Sequence, residues 1–93
     1  MLEDVKLALR ISHDKADTEI KNLINAALAD MIRAGAASSV VCAENPLAKR
    51  VVITYCRREL TDDTVKHQRF HRAYEQMLDE LRRSGDGYLH RDD

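Results

Sequence analysis

Apolar residues recur at helical spacing over about five turns near the start of the chain, and this periodicity constrains the fold most. The stretch "ADTEIKNLINAALADMIRAG" carries apolar side chains at i, i+4, i+7 and i+8 positions, with polar side chains between them. The apolar positions are Ala16, Ile20, Leu23, Ile24, Ala27, Leu28, Met31 and Ile32. We expect an amphipathic helix from about Lys15 to Ala34, ended by Gly35 and packed with one face on a core.

Three other segments have helical patterns. A short first helix places Leu2, Val5, Ala8 and Leu9 on one face. A third helix, "PLAKRVVITYCRREL", starts where Asn45 can act as N-cap and Pro46 can occupy the first helical position. Its inward residues are expected to be Leu47, Val51, Val52, Ile53, Tyr55, Cys56 and Leu60. This most apolar helix is predicted to be the central one.

A fourth helix is expected from about Val65 to Arg83, after the capping candidates of "TDDT". The segment "SGDGYLHRDD" then interrupts the apolar pattern with two glycines. The sequence therefore predicts an all-α, small single-domain bundle of about four helices: a short helix 1, a long helix 2, a central helix 3 and helix 4. Residues 1–83 form the helical domain, and residues 84–93 form a flexible C-terminal tail.

Composition limits the function classes. The chain has 93 residues, 15 Lys and Arg against 16 Asp and Glu, and a formal net charge of -1, so no global field attracts it to nucleic acid or to an anionic membrane. It has neither a membrane-spanning apolar run nor a signal peptide pattern, and we expect it in the cytosol. Cys42 and Cys56 are expected to be reduced thiols, because two cysteines without CxxC grouping favour neither a disulfide scaffold nor a zinc site.

The segment "SHDKAD" contains three possible metal ligands or catalytic groups, His13, Asp14 and Asp17. A capping role fits better, because Asp14 would be the N-cap of a helix starting at Lys15. Asp17 and Glu19 would then lie in the electropositive first turn of that helix.

A second candidate metal site is "HQRFH", with His67 and His71 at i and i+4 and Glu75 one turn further. Solvent-facing histidines are the favoured interpretation, because the glutamate of the HExxH motif is absent. Cys56 falls on the apolar face of helix 3, where a thiol behaves as an inert hydrophobic group. Since no phosphate loop or nucleophile motif occurs either, we predict no enzyme, no cofactor and no metal.

Basic residues on helices 3 and 4 raise the alternative of a small helical DNA-binding regulator. They are Lys49, Arg50, Arg57, Arg58, Lys66, Arg69 and Arg72. A recognition helix should present its N-terminus to phosphates, whereas helix 4 would lead with Asp62 and Asp63. Solvated faces or subunit contacts are therefore favoured for these cations.

Taken in order, "EDVKLALRISHDKADTEIKNLINAALADMIRAG", "NPLAKRVVITYCRREL" and "FHRAYEQMLDELRRSGDGY" resemble the head-tail connector (adaptor) family of long-tailed bacteriophages and prophages, often labelled DNA packaging proteins. The resemblance implies an adaptor that assembles as a ring, usually of twelve copies, on the portal protein after DNA packaging. It implies that the ring extends the DNA channel without sequence-specific binding and docks a stopper or tail-completion protein. The chain would then lie in the virion connector, and in the host cytoplasm during assembly.

The resemblance also suggests roles for particular residues. Tyr88 and Leu89 are apolar residues isolated in a polar tail, which is typical of a segment that folds onto a partner. They are candidate portal-binding residues. Because a DNA channel should not hold the duplex tightly, Arg57 and Arg58 are expected mainly at subunit or portal interfaces, with the subunit interface as the candidate assignment.

Overall fold

The computed structural model of the chain describes residues 1–36, 41 and 45–91, with the backbone alone for residues 84–91. Its elements are four helices: α1 (Leu2–Leu9), α2 (Asp17–Arg33), α3 (Pro46–Leu60) and α4 (Thr64–Arg91). Helix α3 packs against all three other helices, and most extensively against α4. The predicted all-α fold with a central third helix is confirmed. In the described part of the chain, no helix has the length and apolar character that a membrane crossing requires.

The core is built from the apolar stripes of all four helices. Its fully buried larger side chains are Val5, Ile20, Met31, Val51, Val52, Cys56, Tyr74 and Leu81. Two residues expected to face inward lie at the surface: Ile32 is 52% exposed and Leu60 is 38% exposed. In the last turn of α2, Met31 rather than Ile32 faces the core. Leu60 is the last residue of α3, next to the short connection to α4.

Predicted capping signals define three helix ends. The side chain of Asn45 accepts hydrogen bonds from the two backbone N–H groups of Leu47 and Ala48, at 2.9 and 3.1 Å. Asp63 caps α4 in the same way, and these hydrogen bonds lower the pKa of its carboxyl group. Gly35 follows α2 with φ at +106°, a conformation that glycine adopts without steric cost. Local sequence therefore sets these boundaries.

Helix α4 continues about two turns past its expected end at Arg83. Gly85 and Gly87 each disfavour a helix by about 1 kcal/mol relative to alanine, but extending an existing helix requires no new nucleation. The side chains of Tyr88 and Leu89, and the whole of residues 92–93, lie outside the described residues, so the flexibility of residues 84–93 stays a prediction. Cys42, the first of the two cysteines, lies outside them too.

Candidate functional site

The acidic segment before α2 forms an ion-pair cluster with a buried lysine of α1. The Nζ atom of Lys6 lies 3.0 Å from Oδ1 of Asp14 and 2.8 Å from Oδ1 of Asp17. Lys6 is only 5% exposed. Its interactions with the carboxylates, first with that of Asp17, raise the pKa of Lys6. The two carboxylates therefore pair with an ammonium group, and they join α1 to the start of α2.

The N-cap role predicted for Asp14 is wrong. Helix α2 begins at Asp17 with Ala16 at the N-cap position, and no side chain caps it. The Asp14 carboxylate instead accepts a hydrogen bond from the Lys6 ammonium group, and both partners of this bond are charged. His13 also has a local partner, since its Nδ1 atom accepts a hydrogen bond from the backbone N–H of Lys15 at 3.2 Å.

The histidine pair of α4 is not arranged as a metal site. The Nδ1 atom of His71 lies 3.0 Å from a guanidinium nitrogen of Arg58, and its Nε2 atom lies 3.5 Å from the Glu75 carboxylate. Each ring nitrogen of His71 therefore has a charged side chain, and not a second metal-ligand candidate of the histidine pair, as its neighbour. Within the described residues, no group of three or more His, Cys, Asp or Glu side chains could hold a metal ion.

Cys56 is enclosed in the core of the bundle. It is fully buried on α3. Burial raises the pKa of its thiol to about 11. The nucleophile is the thiolate, so a buried thiol with this pKa is unreactive near neutral pH.

The Arg58 guanidinium contacts the rings of two tyrosines, Tyr55 on α3 and Tyr74 on α4, and helps to join these helices. Its guanidinium carbon is 4.7 Å from the ring centroid of Tyr55 and 4.8 Å from that of Tyr74. The rings pack edge to face at 5.5 Å. The Tyr74 hydroxyl donates a hydrogen bond to Asp30, which also pairs with Arg33. The Tyr74 hydrogen bond and the Arg33 charge hold the pKa of Asp30 below its ordinary value. This network connects α2, α3 and α4.

The two candidate subunit-interface residues have different environments. The Arg58 side chain is only 14% exposed and also contacts Glu59. Arg57 is exposed, and its guanidinium donates a hydrogen bond to the backbone carbonyl of Ala8 at 3.2 Å. That contact holds Arg57 against the end of α1. In the single chain, Arg58 is therefore mainly a packing residue, whereas Arg57 is an exposed residue.

A groove of about 320 Å³ lies where the end of α1, the end of α3 and the start of α4 meet. We call it the basic groove. Its lining contains three exposed cations and no carboxylate. The cations are Arg10, Arg57 and Lys66, and the apolar lining residues are Ala8, Leu9, Leu60 and Phe70. Thr61 completes the lining. Cations around apolar side chains suit an apolar side chain that is flanked by negative charge.

The end of α1 places the first of these cations. Arg10 follows the helix in the left-handed conformation, with φ at 60°. The next N–H group, that of Ile11, donates a hydrogen bond to the carbonyl of Lys6 at 2.9 Å, which closes the helix end. The conformation of a non-glycine residue at positive φ costs some free energy, and the closing bonds offset it.

The sequence patterns considered above predicted neither the buried Lys6 nor the basic groove. A signal existed for the lysine, because Lys6 lies on the apolar stripe of α1 beside Val5, at i+4 from Leu2. A cation on an apolar stripe requires an anion nearby when it is buried, and "SHDKAD" supplies two. No comparable signal existed for the groove, because three separate helices contribute to it.

The family model described as phage connector protein matches residues 1–87. No curated protein and no solved structure matches the chain significantly. The matched range contains α1, α2, α3 and most of α4, and with them every core residue described above.

Proposed function

The chain belongs to the phage connector protein family, as its sequence resemblance predicted, and on this premise we propose that it is a head-tail connector (adaptor) subunit of a long-tailed phage or prophage. Copies assemble as a ring on the portal protein after DNA packaging, extend the channel and dock a stopper or tail-completion protein. The observation that carries this proposal is the family match over residues 1–87. The family is one of structural proteins, and the proposal includes no reaction.

The physical properties of the described body suit this role. A ring subunit needs a rigid body and two different surfaces that meet its two neighbours. The Arg58 and Tyr74 network joins three helices into such a body. Exposed Arg57 remains our candidate for a subunit contact, and Arg58 would contribute only the small exposed part of its side chain.

Ring assembly is tested by reconstitution with the portal protein encoded in the same phage or prophage genome. The portal is incubated with an excess of the chain, and the complex is examined by electron microscopy and mass photometry. We expect a ring of the chain on one face of the portal, with about twelve copies if it matches the portal symmetry. A chain that does not bind the portal and is missing from purified virions would refute the proposal.

The portal contact is assigned to Tyr88 and Leu89. The last core residue described is Leu81, so removal of residues 84–93 should leave the bundle folded. We expect the truncated chain to keep its circular dichroism spectrum and its cooperative melting while losing portal affinity. Replacing only Tyr88 and Leu89 by serine should have the same effect. Undiminished portal binding by both variants would contradict the assignment.

An assay with duplex DNA at low and moderate salt distinguishes the proposed connector from the alternative, a DNA-binding regulator. A regulator keeps a specific complex at moderate salt, whereas contacts with phosphates alone weaken steeply. We expect no sequence-specific complex. Sequence-dependent binding to operator-like DNA at moderate salt would favour the regulator.

A further inference from the structure

Among the described side chains, none covers the apolar lining of the basic groove or pairs its cations with a carboxylate. Three exposed cations surround apolar side chains, and Leu60 among them is 38% exposed. We propose that the groove binds residues 84–93 of a second copy of the chain, so that neighbouring subunits are joined end to end. This inference rests on the proposed function, because it identifies one contact that would join connector subunits whose tails are not bound to the portal.

The chemistry of the tail complements that of the groove. In the sequence, Tyr88 and Leu89 lie between Asp86 on one side and Asp92 and Asp93 on the other, with Arg91 as the only lysine or arginine. The tail therefore offers two large apolar side chains in an acidic context. Burying them against the groove would remove apolar surface from water, while the aspartates approach its cations.

The geometry of α4 makes this contact intermolecular. Lys66 and Phe70 line the groove on the first turns of α4, and Asp86 lies further along the same continuous helix. The 16 residues from Phe70 to Asp86 span about 24 Å at 1.5 Å per residue. A helix cannot fold back on itself, so the tail of one chain cannot reach its own groove. The occupant must come from another copy.

Such a contact is heterologous, because each copy uses its groove for one neighbour and its tail for the other. Contacts of this type produce a closed ring when the rotation between copies closes, and an open filament otherwise. A short segment buries less area than a stable dimer requires, so the contact should be weak and sensitive to salt. A tail bound to a groove is not free for the portal, and the two destinations should compete.

The test uses a fluorescein-labelled synthetic peptide, SGDGYLHRDD, titrated into the full-length chain while anisotropy is measured. We expect saturable binding that weakens as salt rises. Arg57→Glu and Lys66→Glu should each weaken binding at least about tenfold. Lys21→Glu is the matched control, since it reverses an exposed charge on α2 outside the groove lining, and it should leave binding unchanged.

Two modified peptides test whether apolar contact and charge pairing both contribute to binding. A peptide with serine in place of Tyr88 and Leu89 should not bind, and a peptide with lysine at its three aspartate positions should bind the Lys66→Glu variant better than the unmodified chain. Melting curves establish that each variant is folded. Absence of saturable peptide binding, or equal binding to the Lys66→Glu and Lys21→Glu variants, would overturn the inference.

The portal assay separates this inference from the proposed function. If the portal binds the chain but the peptide does not bind the groove, the connector proposal stands and the groove contact is wrong. If the peptide binds the groove but the chain does not bind its portal, the groove contact stands and the connector proposal fails. Addition of the peptide to chains at high concentration should also lower their average mass in sedimentation experiments.

Discussion

Replacing Tyr74 by phenylalanine removes one hydroxyl from the centre of the bundle and leaves the ring in place. Tyr74 is only 1% exposed, and its hydroxyl donates to the ionised Asp30 carboxylate. Hydrogen bonds to charged groups contribute about 1.5–3 kcal/mol to stability. Asp30 keeps Arg33 as a partner, so we expect Tyr74→Phe to cost the lower part of this range, about 1.5–2 kcal/mol. For a domain of this size the melting temperature should fall by roughly 6–16 °C.

The difference in stability between wild type and Tyr74→Phe should depend on pH in a defined direction. The folded state holds the pKa of Asp30 below its ordinary value of 3.8. The stability that this gives is present above that value and is lost as pH falls through the folded pKa. We therefore expect the wild-type advantage over Tyr74→Phe to be constant above about pH 5 and to shrink below about pH 4.

At alkaline pH the stability difference should shrink as pH rises, whereas at acidic pH it shrinks as pH falls. Burial, and then the hydrogen bond to Asp30, raise the pKa of Tyr74 above its ordinary value of 10.0. The neutral hydroxyl therefore stabilises the fold below that value, and its contribution declines as pH rises above it. The Tyr74→Phe variant lacks the hydroxyl and should lose less stability than wild type in this range.

Urea denaturation followed by circular dichroism measures these differences directly. Tyr55→Phe is the matched control, because it removes a hydroxyl from the neighbouring ring, for which the described residues supply no hydrogen-bond partner. The control should change stability by less than about 0.5 kcal/mol. The reasoning is refuted if Tyr74→Phe is as stable as wild type at neutral pH, or if Tyr55→Phe costs as much.

Three further perturbations test the fold. Asn45→Ala should cost about 1 kcal/mol in thermal unfolding because it removes the α3 cap, and Asn45→Asp should cost little; equal losses would disprove the capping role. Leu81→Ala should lower the free energy of unfolding by about 2–5 kcal/mol, whereas Leu7→Ala on the exposed face of α1 should be nearly neutral. A larger loss for Leu7→Ala than for Leu81→Ala would contradict this position of the core. In a Cys42→Ser background, Cys56 should resist iodoacetamide at mildly alkaline pH until the chain unfolds; rapid labelling of the folded chain would show an accessible thiolate.

Much of the secondary structure follows from local sequence. The apolar periodicity of α2, the Asn45–Pro46 start of α3 and the glycine after α2 all correspond to features of the structure. These signals act within one or two turns of the chain, where hydrogen bonding and steric preference operate regardless of tertiary contacts. The candidate site was less predictable, because its residues come from separate helices.

Asp14 shows how a tertiary contact overrides a local preference. Its position before a helix suits a cap, yet its carboxylate pairs with Lys6, eight residues earlier on another helix. The choice depends on the packing of α1 against α2, which brings a buried ammonium group within 3.0 Å. A buried charge needs an opposite charge more than a partly exposed helix end needs a cap.

The sequence by itself determined that this chain forms four amphipathic helices, where three of their ends lie and which faces turn inward, because these properties depend on the spacing of neighbouring residues. Its resemblance to the connector family was also present in the sequence, and the family match over residues 1–87 confirmed it. Only the tertiary structure decided that Arg58 contacts the rings of both Tyr55 and Tyr74, and that three helix ends form the basic groove. The physical reason is that these contacts depend on how the helices pack, and residues far apart in the chain decide that together.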